Sequence, residues 1–431
     1  MWPNLGEDQM QSRRRRDRLA VRAWPSRSAS SVAGAIGVVT ALLVGAVGSQ
    51  APAVTVDQSY WIPAGDKVVV RGHGYGHGHG MSQYGAYGAA RQGLTADQIV
   101  GFYYPGTALA TAAGRMRVLV TSDTTDDVVV SPVAGLKVRD RGAKATYTLP
   151  VIDKATRWRL HVAGGKPIVQ YRVGGTWRSW RPDGVPSFVG DLQFQAGGRP
   201  MTLWTPTGER SYRGKLRAAS PAPGSKTRDT VNIVKLDDYV RGVIADEMPA
   251  SWHPEAVKAQ AIAARTYGAW SRAENRKRYF HICDTTSCQV YGGVGAEHPA
   301  ASAAVTATAG QILTYEGKPA FTQFSSSSGG WTAAGSTPYL PAQSDPFDAH
   351  DANPMNTWAV TVDVRKLERA YPAIGDLRRI RVTARDGNGE WFGRVLSLQL
   401  DGTEADRTIS GDSFRWAFGL RSNWFAIDSA R

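Results

Sequence analysis

Residues 72–87 place three histidines among closely spaced glycines, in the order Gly-His-Gly-Tyr-Gly-His-Gly-His-Gly-Met-Ser-Gln-Tyr-Gly-Ala-Tyr. Glycine adopts backbone conformations closed to other residues and lets a ligand approach the main chain. This Gly-His loop therefore has three interpretations. It lines a polar ligand, it holds a metal through His73, His77 and His79, or it is a glycine-rich turn with solvated imidazoles.

Two adjacent acids, Asp246 and Glu247, stand just before Met248-Pro249. Because proline disfavours helix at the residue before it, we expect both acids on a loop that leads to a helix. A carboxyl group half buried there, near Trp252, would have a raised pKa and could act as a general acid. The alternative is an ordinary solvated acid near a helix start.

The chain has two cysteines, Cys283 and Cys288, five positions apart. A pair this close is easily bridged by a disulfide, which an oxidising compartment permits. A structural zinc is the competing interpretation, with His281 as third ligand and a more distant histidine as the fourth. The spacing leaves both alternatives open.

A run of four serines at 325–328 precedes Gly329-Gly330. It lacks the Gly-x-Ser-x-Gly elbow of serine hydrolases, and the chain lacks the His-Glu-x-x-His motif of zinc proteases. Hydroxyl groups and backbone amides of this block suit the binding of a sugar, and a polar turn is the alternative.

The first 53 residues are typical of an export signal. Arginines at 13–16 precede an uncharged apolar stretch at 32–47, and small residues follow at 51–53. This order predicts cleavage after Ala53, with an uncleaved membrane anchor as the alternative. We therefore expect a protein that is secreted to the cell wall or anchored to the outer face of the cytoplasmic membrane, with no other membrane contact.

Composition and charge narrow the class of protein. The 47 glycines and 23 prolines among 431 residues predict many turns. The net charge of +14 favours anionic partners, and outside the cell a bacterial wall fits better than nucleic acid.

Local patterns place the elements around these residues. Short alternating segments predict strands from 116 to about 215, Thr95 is a predicted N-cap, and Pro254 opens the longest helix, whose apolar face includes Ala256 and Tyr267. We expect an α+β fold, rich in strands, with one prominent helix and an inserted β-strand region.

The block at 236–267, from Leu-Asp-Asp-Tyr through Asp-Glu-Met-Pro to Ala-Arg-Thr-Tyr, resembles the core of the SpoIID/LytB family of bacterial wall proteins. Supporting blocks lie at 288–293, 324–330 and 410–415, and the Gly-His loop with Tyr-Tyr-Pro-Gly-Thr at 103–107 resembles the family's other signature. The resemblance implies a peptidoglycan lytic transglycosylase with Glu247 as the catalytic acid and base and no required cofactor. It also implies zinc in some members, near Cys283 and Cys288.

On this basis we expect substrate contacts from eleven residues around Glu247. The expected set is His73, His77, Ser82, Gln83, Tyr84, Gln289, Tyr291, Ser326, Ser327, Gly329 and Gly330. The expected metal ligands, if zinc replaces the disulfide, are His281, Cys283 and Cys288. The expected partners are peptidoglycan glycan strands and other wall hydrolases.

Two alternatives remain beside the enzyme. One is a non-catalytic wall-binding module that enhances or localises an N-acetylmuramoyl-L-alanine amidase, as some members of the family are thought to do. The other is a zinc hydrolase that uses His73, His77 and His79 of the Gly-His loop.

The order of the motifs departs from the family, in which the Gly-His signature follows the core. We interpret the chain as circularly permuted, with residues 54–115 and 226–431 forming one domain and 116–225 as an insertion. The loop at 72–87 should then pack beside the C-terminal segment and reach the cleft of Glu247, with His77 within about 20 Å of that residue.

Overall fold

The computed structural model describes residues 53–62 and 67–428. The predicted export signal or anchor falls outside these residues, apart from residue 53. Among the described residues, no helix combines the length and the apolar character needed to cross a membrane.

Strands dominate the structure, as expected for an α+β fold. A seven-stranded sheet contains, in spatial order, Ile282–Cys283, Arg115–Leu119, Asp229–Lys235, Lys215–Ala219, Leu192–Gln195, Lys137–Asp140 and Ala145–Thr148. A six-stranded sheet contains Thr176–Trp180, Lys166–Val173, Arg157–Ala163, Val128–Val130, Met201–Thr205 and Gly208–Tyr212. A four-stranded sheet contains Val54–Trp61, Leu377–Arg385, Val395–Gly402 and Asp406–Ser410.

Smaller sheets join distant parts of the chain. One contains Lys318–Pro319, Gln311–Tyr315 and Ala108–Thr111, and another contains Thr357–Asp363, Lys67–His73 and Phe425–Asp428. A parallel pair joins Phe324–Ser325 to Met81–Ser82. The helices of the described residues are α1 (Gln83–Arg91), α2 (Ala96–Tyr103), α3 (Leu236–Glu247), α4 (Pro254–Glu274), α5 (Pro299–Ala307), α6 (Arg365–Ala370) and α7 (Gly411–Phe418).

The longest helix, α4, lies in the main hydrophobic core. Pro254 occupies its first turn, where the missing amide costs nothing, and the His253 side chain accepts the Glu255 amide. Ala256 and Ala263 are fully buried. Small side chains on this face let α1, α2 and α3 approach α4 closely, so the helix holds together the elements that carry the site.

The Gly-His loop packs beside the C-terminal segment. The strand Lys67–His73, which leads into the loop, pairs with Phe425–Asp428, and the Gly76 amide donates to the Arg421 carbonyl at 2.9 Å. This packing was predicted from the motif order. The Gly-His loop and the C-terminal segment are therefore neighbours in the fold.

The expectation of a loop at Asp246 and Glu247 is wrong, because both residues belong to the last turn of α3. Proline constrains the residue immediately before it, which is Met248, and Met248 is indeed extended, with φ −139° and ψ 136°. The helix therefore ends at Glu247, one residue before the position that proline restricts.

Candidate functional site

Glu247 lines a cavity of about 250 Å³, near the lower end of the range for small-ligand sites. This Glu247 cavity is bounded by the Gly-His loop, by α4, by the segment after Cys283 and by the segment that enters the serine run. Its lining residues are His77, Glu247, Tyr267, Thr286, Ser287, Cys288, Gln289, Val290, Gln323 and Phe324.

The carboxyl group of Glu247 has one hydrogen bond to the protein. Its Oε1 accepts the Val290 amide at 3.0 Å, and its Oε2 has no hydrogen-bond partner among the described residues. Burial raises the pKa of Glu247 to about 7, and the neighbouring Asp246 adds to this, while the Val290 amide opposes it. At neutral pH the group therefore populates both its acid and its base form.

The backbone carbonyl of Glu247 accepts a hydrogen bond from the Gly-His loop. Gln83, the first residue of α1, donates from Nε2 to the Glu247 carbonyl at 2.9 Å. This carbonyl belongs to the last turn of α3, where no amide of the same helix can reach it. Gln83 thus connects the Gly-His loop to Glu247, the acid that belongs to the block at 236–267.

His77 is the loop histidine that lines the cavity with Glu247. Its Nδ1 accepts the His79 amide at 3.0 Å, which assigns the proton of the neutral ring to Nε2. Burial lowers the pKa of His77 to about 3, with help from His79 and Arg394. The ring is therefore uncharged at neutral pH, and it leaves the cavity without a cation beside Glu247.

The backbone around His77 depends on glycine. Gly78 and Gly80 have φ of +78° and +66°, which side chains disfavour. A Cβ at Gly78 would collide with the Arg394 guanidinium, and one at Gly80 would collide with the Gln323 carbonyl. The glycines therefore admit close neighbours from the protein itself.

His73 and Tyr84 lie outside the cavity lining. His73 Nε2 lies 2.9 Å from Glu390 Oε2, and its ring packs against Trp391 and Trp424. Tyr84 packs on Trp252, with ring centroids 4.7 Å apart.

Most of the hydroxyl groups expected to bind sugar face the protein interior. Ser82 and Ser327 are almost fully buried and donate to the two oxygens of Asp348, at 2.5 and 2.7 Å. The Gly329 amide donates to Asp348 at 2.9 Å, and the Gly330 amide donates to the Ser328 hydroxyl at 3.2 Å.

The remaining expected contacts divide between the cavity and the interior. The Ser326 carbonyl accepts the Tyr84 amide, and the buried Tyr291 hydroxyl donates to Asn232 at 2.8 Å. Gln289 lines the cavity and is held by the Tyr239 hydroxyl, which donates to its Oε1 at 2.8 Å. Of the eleven expected substrate contacts, the structure places His77 and Gln289 in the Glu247 cavity.

Sequence reasoning did not assign Thr286, Ser287, Val290, Gln323 and Phe324 to the site, although all five line the cavity. Thr286 and Ser287 lie between the two cysteines. The close cysteine pair, which predicts a constrained loop, was therefore the sequence signal that could have pointed to them. Asp345 and Asp348 were also missed. The buried hydroxyls and amides of the serine run need hydrogen-bond acceptors, and the carboxylates of Asp345 and Asp348 are those acceptors.

Cys283 and Cys288 form a disulfide. Cysteine binds zinc as a thiolate, which the two joined sulfurs do not offer. His281 Nδ1 accepts the Arg117 amide at 3.1 Å, and in the described part of the chain no three His, Cys, Asp or Glu side chains are grouped to hold a metal ion. The zinc expectation for His281, Cys283 and Cys288 therefore does not fit this arrangement. Among the described residues, His73, His77 and His79 are not grouped as metal ligands either.

Comparison with known proteins identifies the core block. The family model for SpoIID, the stage II sporulation protein, matches residues 224–315. An uncharacterized protein of Brachyspira hyodysenteriae is 32% identical over 200 residues, which are 41% of this chain and 54% of that protein. The chain thus spans about half the length of that relative.

Two relatives from Bacillus subtilis have descriptive names. The amidase enhancer is 38% identical over 135 residues, which are 30% of this chain and 17% of the enhancer. The stage II sporulation protein D is 35% identical over 253 residues, which are 49% of this chain and 71% of that protein. The chain belongs to the SpoIID family.

Proposed function

We propose that the protein is a lytic transglycosylase that cleaves peptidoglycan glycan strands after N-acetylmuramic acid, outside the cytoplasm. The observation that carries the proposal is Glu247, the acid among the described residues that line the cavity, with a pKa of about 7 and Oε2 unused by the protein. Membership of the protein in the SpoIID family supports a role at the cell wall.

One carboxyl group suffices for this reaction. Protonated Glu247 donates its proton to the glycosidic oxygen, and the bond from that oxygen to C1 of the muramic acid breaks. Ionised Glu247 then takes the proton of the same sugar's 6-hydroxyl as O6 bonds to C1, which closes a 1,6-anhydro ring. The carboxyl group ends protonated, as it began, and no water is consumed.

The surroundings of Glu247 favour this mechanism over hydrolysis. Glycoside hydrolysis uses a second carboxylate, either to activate water or to act as a nucleophile. Asp246, the adjacent acid, is not among the cavity-lining residues. His77 is uncharged, and the Gln289 amide is held by Tyr239 and by the Ala264 carbonyl, so neither side chain removes the proton that Glu247 must donate.

Digestion of purified glycan strands tests the proposal. The full-length protein should release products with 1,6-anhydro-muramic acid ends, detected by mass spectrometry. Glu247→Gln should lower the rate by about 10²–10⁴-fold, the typical contribution of general acid–base catalysis. Asp246→Asn is the matched control and should retain the rate within tenfold.

A second candidate is a non-catalytic enhancer of a wall amidase, favoured by the similarity to the Bacillus subtilis amidase enhancer. It predicts no anhydro products from either the wild type or Glu247→Gln, together with faster release of stem peptides when an N-acetylmuramoyl-L-alanine amidase is added. Reducing ends without an anhydro ring would contradict both candidates and indicate hydrolysis.

A further inference from the structure

A second cavity, of about 380 Å³, lies against the seven-stranded sheet. We call it the basic cavity. Five of its ten lining residues are cations and one is an acid. The lining residues are Arg115, Lys137, Gln195, Gly197, Gly198, Arg213, Gly214, Lys215, Lys235 and Asp238.

The register of the sheet brings four of the five cations together from four strands. Gln195 lies opposite Lys137 on one side and Lys215 on the other, so the three side chains form a row across three strands. On the neighbouring strand pair, Lys235 lies opposite Arg115. Because side chains alternate between the faces of a strand, residues such as Val138 and Leu216 point the other way and are fully buried.

Of the five cations, the protein neutralises Arg213, which forms an ion pair with Glu297. Among the described residues, Arg115, Lys137, Lys215 and Lys235 have no ion pair, whereas the acid of the cavity, Asp238, is paired with Arg241 at 2.6 Å. Burial lowers the pKa of Lys215, and so do the nearby Arg115, Arg139 and Arg217. Several like charges therefore face one another across the sheet, which costs free energy unless an anion joins them.

The span of the cations exceeds the size of one anion. Four inter-strand spacings separate the strand of Lys137 from that of Arg115, which amounts to about 19 Å. A ligand that contacts all of them carries several negative charges along an extended chain. The lining contains no aromatic side chain on which nucleic acid bases could stack.

We propose that the basic cavity binds a linear polyol phosphate polymer through its phosphodiester groups. Lysine and arginine both recognise phosphate oxygens, and the glycines at 197 and 198 leave room for the polymer backbone. Lys235 precedes α3 and Glu247 ends it, so the two cavities lie about 18 Å apart along that helix. A bound anionic polymer can thus hold the protein at a surface while the Glu247 cavity stays open.

The test measures binding of a synthetic glycerol phosphate oligomer to the full-length protein by titration calorimetry. The triple variant K137Q/K215Q/K235Q removes three unpaired lysines. Each phosphate contact contributes about fivefold in affinity at about 0.15 M salt, so we expect roughly 100-fold weaker binding and a shallower salt dependence. The control K154Q/K166Q/K318Q removes the same charge from exposed lysines elsewhere and should bind like the wild type.

Four outcomes would overturn the proposal. They are unchanged binding by the triple variant, equal weakening in the control, equal binding of an uncharged polyglycerol oligomer, and tighter binding of single-stranded DNA with the same number of phosphates. If the triple variant melts at a lower temperature, Lys235→Gln alone, at an exposed residue, should still weaken binding about fivefold. Cleavage of short glycans by either variant should match the wild type, so this result is independent of the chemistry at Glu247.

Discussion

Two regions of the molecule each contain a buried carboxyl group with a pKa of about 7, and they differ in what its oxygens contact. In the Glu247 cavity, one oxygen accepts a single amide and the other has no described partner. In the polar centre, formed by Asp345, Asp348 and their donors, Asp345 accepts from the Tyr103 and Ser328 hydroxyls at 3.0 and 2.8 Å. Burial raises the pKa of Asp345, and Asp348 adds to it.

The difference shows that a raised pKa does not identify a catalytic acid by itself. The oxygens of Asp348 accept from two serine hydroxyls, the Gly329 amide and the side chains of Asn353 and Asn356. A carboxylate surrounded in this way fastens the serine run to the Gly-His loop. Glu247 has one oxygen without a partner among the described residues and lines a cavity, which is the arrangement that the proposed chemistry needs.

The largest expected effect comes from removing the centre of the second region. Asp348→Ala leaves buried hydroxyls and amides without their acceptor, and we expect the free energy of unfolding to fall by about 3–5 kcal/mol. Urea denaturation followed by tryptophan fluorescence measures this loss. A variant that unfolds like the wild type would mean that the polar centre contributes little to stability.

Glu247→Gln should have the opposite effect on stability. The folded pKa of about 7 exceeds the ordinary value of 4.5, so between these values the folded state holds the proton more tightly than the unfolded chain. Stability is therefore lost as the pH rises from 4.5 through 7. A neutral glutamine avoids this loss and should raise the free energy of unfolding at pH 8 by roughly 2–3 kcal/mol, with little change at pH 4.

Urea titrations of both proteins at the two pH values provide the measurement. Asp345 also titrates near pH 7, but it is present in both proteins and cancels in the difference. If the difference between wild type and variant is the same at both pH values, Glu247 is not the buried acid described above.

Local signals predicted much of the fold. The N-cap Thr95 and the first-turn Pro254 each depend on neighbouring residues, and the structure has both. Glu247 was predicted as the catalytic acid from the resemblance of its Glu-Met-Pro segment, which stays a prediction. The direction of the serine hydroxyls could not be read locally, because Asp348 lies 266 positions from Ser82 and only the folded chain brings them together. A hydroxyl has the same sequence signal whether it faces a ligand or a buried carboxylate.

Two adjacent residues, Ser82 and Gln83, belong to different regions: Ser82 contacts the polar centre and Gln83 contacts Glu247. Substituting each of them separately tests the comparison with the smallest expected effect. Ser82 donates to Asp348 and caps α1, whereas Gln83 donates to the Glu247 carbonyl. Ser82→Ala and Gln83→Ala should each lower the free energy of unfolding by about 1–2 kcal/mol, the contribution of one or two buried hydrogen bonds. Only Gln83→Ala should also lower kcat for glycan cleavage with little change in KM, because it frees the end of α3 that positions the acid. Equal losses of kcat in both variants would show that the polar centre and the Glu247 cavity act as one unit.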